Sequence, residues 1–287
     1  MYYTPNTRGK SIFFIYVSNI LFAATAVLVG MLSDGFSGSF TTFCRFLVGM
    51  LIGFGQLAAT RTPFRIVRIR PWLGRGVFGA LGMTLYYVSI ALGAPGRASL
   101  FNNSFPIFVA IIAICFLGEK VRLPTAGGIA LAFAGIAFVL WDGAEGNPLA
   151  DIAGIASGFF AGISYHFNKR ASKTEHPVVI YLGVCLVGLA FNAFSARQLL
   201  CIDAGSALIL VLAGLGGYYA QIALTVGLRD IDTTEGSIHT FAKIPLTVLG
   251  GALFFGERIT GRFIAGCALL FAGIFLDRFI PASPAKQ

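Results

Sequence analysis

The residues least expected in an apolar chain are Glu235, His239, Thr240 and Lys243, near the start of a long hydrophobic run that ends at Phe255. Spacings of four put Glu235, His239 and Lys243 on one stripe of an α-helix. An ammonium at 243 can attract a carboxylate or phosphate of a ligand; the alternative is a structural pairing with a backbone carbonyl or another polar side chain. His239 titrates near neutrality and is the candidate for moving a proton. A second set, Asn102, Asn103 and Ser104, stands just before Pro106. Proline removes a backbone donor and frees a carbonyl one turn upstream, so polar side chains and irregular helix coincide there. Both sets can orient the polar atoms of a ligand, or serve as hinges and packing devices.

Aromatic residues with polar tips recur inside apolar runs: Tyr16, Tyr86, Tyr87, Tyr165, Tyr218 and Tyr219, with Asn19, His166 and Gln221 among them. A site for a small organic solute needs apolar walls and a few hydrogen-bonding groups. The candidate substrate-binding residues are therefore Lys243, His239, Asn102, Asn103, Tyr86, Tyr165, Tyr218 and Asn19. For any one tyrosine, packing between helices is the competing role. His166, beside Asn168 and Lys169, reads as a solvated interfacial side chain. Arg45 reads as a partner of a helix-end carbonyl. Glu119 and Glu257 each follow a glycine suited to ending a helix, and each carboxylate is expected to complement the positive end of the helix after it.

Other chemistries have little footing. The three histidines form no metal-spaced motif with a carboxylate, and the five scattered cysteines form no zinc, redox or disulfide pattern. No phosphate-cradling GxxxxGK[ST] stretch is present, so ATP-driven pumping from this chain alone is not expected. No cofactor or metal is implied.

The elements that must position these residues follow from composition. Apolar residues make up 56% of the 287 and charged residues 11%, against about 25% charged in a soluble domain. Only a bilayer can solvate that much apolar surface, and helices there satisfy their own backbone. Ten apolar runs are long enough to span it: 12–32, 39–58, 72–92, 98–117, 125–141, 152–167, 178–196, 207–228, 236–255 and 262–280. The first is too long for the core of a cleaved signal. Short connections make consecutive helices antiparallel neighbours. The net charge of +9 comes from basic residues clustered in loops. That placement encodes topology rather than nucleic-acid binding. With a cytoplasmic N-terminus, fifteen Lys and Arg fall on the cytoplasmic side, Arg75 among them, and four on the other; Arg45 and Lys243 are left inside. Both termini are therefore expected in the cytoplasm. The basic stretch Arg61 to Arg70 is expected on the inner leaflet.

The chain also repeats. Phe116-Leu117-Gly118-Glu119-Lys120-Val121 matches Phe254-Phe255-Gly256-Glu257-Arg258-Ile259, and Phe133-Ala134-Gly135-Ile136 matches Phe271-Ala272-Gly273-Ile274, both at an offset of 138. Pro106 and Pro245 precede the two blocks. The expected fold class is an all-α polytopic membrane protein, ten transmembrane helices as two inverted five-helix repeats, residues 1–146 and 147–287. Five is odd, so the second copy enters the membrane upside down, a plan suited to alternating access. Gly154, Gly158 and Gly162 predict a close helix crossing, internal rather than at a dimer seam.

These motifs, with Cys44-Arg45-Phe46, resemble the drug/metabolite transporter superfamily and, within it, the EamA-type ten-helix carriers. The resemblance covers essentially the whole chain. It implies a central cavity lined mainly by spans one, three, four, six, eight and nine. It also implies transport of a small organic molecule such as an amino acid across the inner membrane, with export favoured. Lys243 departs from the acidic or neutral residue often found before this proline in such carriers and raises the odds of an anionic substrate. The alternative is an uptake permease for a sugar, nucleoside or vitamin; a membrane-embedded enzyme is a remote one. The expected partners are the small-molecule substrate and the lipid bilayer, with no nucleic acid; no feature of the sequence sets an oligomeric state. Alkaline phosphatase fused at the C-terminus should be inactive and green fluorescent protein fused there fluorescent; the opposite pair would overturn the topology.

Overall fold

The computed structural model describes residues 5–117, 123–141, 147–231 and 239–279. All described regular structure is helical: α1 (Pro5–Gly30), α2 (Gly38–Ala59), α3 (Ile69–Leu92), α4 (Pro95–Asn102), α5 (Phe105–Leu117), α6 (Leu123–Trp141), α7 (Pro148–Ala171), α8 (Pro177–Asn192), α9 (Ala204–Gly227), α10 (Lys243–Phe255) and α11 (Gly261–Phe279). A 3-10 stretch, Ala193–Cys201, prolongs α8, and a shorter one, Thr240–Ala242, leads into α10. Five described segments are long and apolar enough to cross a bilayer: α1, α2, α3, α8 with its extension, and α9. The chain is thus a multi-pass membrane protein.

Local chemistry sets the helix ends. Prolines occupy the first turns of α4, α7 and α8, where their missing donor costs nothing. The side chains of Ser37, Asn147, His176 and Asp203 accept from backbone N–H groups at the starts of α2, α7, α8 and α9. Hydrogen bonds from the Ser206 hydroxyl and backbone hold the Asp203 carboxyl below its usual range. At the other end of α9, the Lys169 ammonium donates to the carbonyls of Leu228 and Ile231 at 2.8 and 2.6 Å, the favourable place for a cation on a helix.

The broadest packing joins α3 to α7, α6 to α11 and α1 to α9. Glycines permit the close approaches. A Cβ on Gly38 would overlap the Tyr87 carbonyl and Val88 backbone of α3, while Gly154, Gly158 and Gly162 of α7 lie against Phe101, Ser104 and Phe108 of α4 and α5. The glycine ladder is therefore an internal seam, as its spacing predicted.

Three local expectations change. The run 98–117 is two helices rather than one, interrupted at Asn103 and Ser104. The stripe of Glu235, His239 and Lys243 is not one continuous α-helix: Thr240–Ala242 is 3-10, between the helical His239 and the α-helix that starts at Lys243, while Glu235 lies outside the described residues. The cause is Pro245, which cannot donate to the carbonyl four residues back and whose ring crowds it. Glu257 acts across the fold, since its carboxylate accepts from the Gly96 N–H at 3.1 and 3.2 Å. It caps the first turn of α4, a role that the sequence did not show. Its counterpart Glu119 lies outside the described residues.

Gly38→Ala should destabilise the protein by about 1–3 kcal/mol through overpacking against a backbone that cannot move aside. Thermal unfolding in detergent measures this, and an unchanged midpoint would contradict the tight α2–α3 crossing.

Candidate functional site

The two helix breaks face each other across a cavity of about 110 Å³. Its walls come from α1 (Ser18, Asn19, Phe22), α2 (Arg45), α3 (Arg75, Gly79, Gly82, Met83, Tyr86), the α4–α5 break (Asn102, Asn103, Phe105), α7 (Ala161, Tyr165), α9 (Gln221, Leu224), and Thr240 and Lys243 at the second break.

The first break is held open by its own polar side chains. Asn103 Nδ2 donates to the Ser99 carbonyl at 2.7 Å, and the Ser104 hydroxyl to the Phe101 carbonyl at 2.6 Å, satisfying acceptors in the last turn of α4. Asn102 faces two ways: its Nδ2 donates to Ser157 of α7 at 3.0 Å, and its Oδ1 accepts from Lys243 Nζ at 3.4 Å. The break is thereby tied to the opposite one. Asn19 Nδ2 secures the second break from α1, donating to the His239 carbonyl at 2.7 Å.

Three basic side chains reach this interior. Lys243 is buried, 7% exposed, and its ammonium lies 5.5 Å from the Phe22 ring centre and 5.1 Å from that of Tyr86. Arg45, 2% exposed, stands over the Phe22 and Tyr87 rings at 5.6 and 5.2 Å. It donates to the Tyr87 hydroxyl at 2.6 Å and the Gly217 carbonyl at 3.4 Å. A Cβ at 217 would collide with this guanidinium, so Gly217 makes room for it. Arg75, 8% exposed, donates to the Ser164 hydroxyl of α7. Among the described residues no carboxylate lines the cavity, and none pairs with these three cations. Hydrogen bonding there is also incomplete. Five of the lining residues, Ser18, Arg45, Arg75, Tyr86 and Tyr165, each have a buried polar atom without a partner, an arrangement that native interiors avoid unless something else completes it.

Six of the eight residues singled out from the sequence line the cavity: Lys243, Asn102, Asn103, Tyr86, Tyr165 and Asn19. His239 does not. Its ring is edge-on to Tyr16, with Nδ1 3.3 Å from the Tyr16 hydroxyl, because the 3-10 turn rotates it away from the face that Lys243 presents. Tyr218 does not either. It is turned toward α2 and α8, with its hydroxyl on Gln56 and its ring against Tyr181. His166 is half-buried, its Nε2 3.2 Å from the Val109 carbonyl, and not simply solvated.

The missed residues are the two arginines. Arg45 bonds a mid-helix carbonyl and a tyrosine rather than a helix end. Arg75, which the charge count places with the cytoplasmic loops, is buried inside the run 72–92 and lines the cavity; its position one turn into that run is the available signal.

Comparison with known proteins follows the same lines. A family model described as the EamA-like transporter family matches residues 9–141 and again 148–277. A riboflavin transporter of Rhizobium johnstonii is 31% identical over 232 residues, 77% of this chain and 73% of that protein. A probable amino-acid metabolite efflux pump of Escherichia coli is 26% identical over 253 residues, 80% and 83% of the two chains. A solved crystal structure shares the fold, with a TM-score of 0.67 at 19% identity over 96% of this chain and 98% of that one.

Tyr218→Phe should cost about 1 kcal/mol of stability, because it deletes a made hydrogen bond. Tyr86→Phe and Tyr165→Phe delete hydroxyls with no partner in the empty protein and should leave its unfolding midpoint unchanged or higher. A loss for Tyr86→Phe as large as that for Tyr218→Phe would mean its hydroxyl is already satisfied internally.

Proposed function

Because this chain belongs to the EamA-like transporter family, we propose that it is a secondary carrier moving a small organic anion across the cytoplasmic membrane by alternating access. The observation that carries this reading is the set of three buried cations around one cavity, with no carboxylate among its described lining. An uncompensated Arg or Lys inside a bilayer costs about 2.5–3.5 kcal/mol on insertion scales. Contacts with Phe22, Tyr86 and Tyr87 return about 1–2 kcal/mol each when desolvated. Fully offsetting three such charges calls for anionic oxygens, and a solute can bring them.

The alternating part rests on the repeat. We read residues 1–146 and 147–287 as two five-span copies of opposite orientation. The double match of the family model supports this. So does the packing: shifting by 138 residues turns α3 on α7 into α9 on α1, while the α6–α11 and α2–α8 contacts each map onto themselves. A two-fold axis between the copies accounts for that pattern, and on this reading of five spans per copy it lies in the membrane plane. At the Arg97 end of α4, two contacts bridge the copies. Arg97 holds Asp151 of α7 through two 2.7 Å bonds, and Glu257 holds Gly96. With both termini in the cytoplasm, as the distribution of Lys and Arg supports, this is the external end and would have to part for the cavity to open outward.

Export is the direction we assign, supported by the likeness to the Escherichia coli protein named as an efflux pump. Uptake of a vitamin is the second reading, favoured by the identity to a riboflavin transporter. The cavity in this conformation is well below the roughly 300 Å³ at the low end of sites for drug-sized ligands, which supports a smaller solute.

In proteoliposomes, saturable counterflow of a carboxylated metabolite is expected, with Lys243→Gln lowering its apparent affinity about tenfold or more. Flux that never saturates would indicate a pore, and exchange restricted to neutral solutes would contradict the anion reading.

A further inference from the structure

The cations differ in what they demand of a ligand. A guanidinium keeps its charge under all physiological conditions, whereas an ammonium can release its proton when desolvated. Arg45 and Arg75 therefore fix a permanent charge of two on the cavity, and Lys243 adds a third that is adjustable. Each arginine is tethered through a terminal nitrogen to neutral partners on a different helix: Arg45 to Tyr87 and Gly217, Arg75 to Ser164. Neither tether neutralises, and the Nε of each has no hydrogen-bond partner. Three lining hydroxyls, those of Ser18, Tyr86 and Tyr165, also lack partners and can donate to anionic oxygen.

A solute with one carboxylate leaves a permanent positive charge uncompensated in the interior. A solute that also carries an ammonium makes matters worse: it brings a fourth cation into a cavity whose described lining holds no carboxylate, and the Asn102 carbonyl oxygen already faces Lys243. From this balance, and resting on the anion-carrier reading above, we infer that the solute is a small dianion without an ammonium group, a dicarboxylate or a phosphate monoester. The charges lie on α2, α3 and α10, so one dianion ties together elements of both halves of the chain. Two acidic groups on a short skeleton also suit a cavity of about 110 Å³.

The test is counterflow of four labelled compounds, each in proteoliposomes preloaded with the same compound: succinate, its monoamide succinamate, aspartate, and glycerol 3-phosphate. At least one of the dianions should exchange about tenfold or more faster than both succinamate and aspartate; succinate against glycerol 3-phosphate then distinguishes carboxylate from phosphate. Arg75→Gln should bring the preferred dianion down to the rate of succinamate, while Arg75→Lys, which keeps a charge at the site, should retain most of the preference. Succinamate or aspartate exchanging as fast as the faster of the two dianions would overturn the inference and leave the anion carrier standing. A failure of all four to exchange would overturn both.

Discussion

A cation drawn from water into the interior of a membrane protein must be compensated, and here three come to one place where no carboxylate among the described residues compensates them. Arg45, Arg75 and Lys243 rest on tyrosines, a phenylalanine, a serine, an asparagine and one backbone carbonyl. Such partners orient a charge but do not cancel it. Much of the surrounding structure serves this arrangement. Gly217 has no side chain because the Arg45 guanidinium occupies that space. The breaks before Pro106 and Pro245 bring Asn102 and Lys243 face to face, and Asn19 secures the turn from which Lys243 emerges.

The breaks also explain how a bundle of stiff helices makes a polar interior at all. An uninterrupted helix keeps its backbone polarity to itself. Proline gives up one donor in the span, and the freed groups recruit Asn and Ser side chains around them. At Pro106 and again at Pro245, the same device sets polar side chains inside a span. Glycines on α7 let that helix lie directly over the first break, so the cavity stays narrow and its walls stay close to the charges.

Much of this was written in the sequence. Hydropathy located the helices. Polar residues beside the two prolines pointed to the site. What the sequence could not give was direction around a helix axis or partnership at a distance. Tyr218 and Gln221 sit three residues apart on α9, yet only Gln221 faces the cavity, because α2 and α8 claim the other face. His239 is displaced by a 3-10 turn that Pro245 imposes upstream of itself. Arg75 escapes notice for a different reason: a count of basic residues near span ends says which side an arginine is on, not whether it points inward. Glu257 looked local and yet acts on α4, since a carboxylate caps whichever helix start folding brings to it.

The central claim is that these cations are uncompensated until a solute arrives, and the stability of the empty protein measures it. Replacing an uncompensated buried charge by an apolar side chain of similar length relieves desolvation without losing a strong partner. Lys243→Met and Arg75→Met should therefore hold or raise the ligand-free unfolding midpoint while abolishing solute exchange. If both substitutions lower the midpoint sharply, as breaking a paired buried charge does, the cations are structural and the account of the cavity fails.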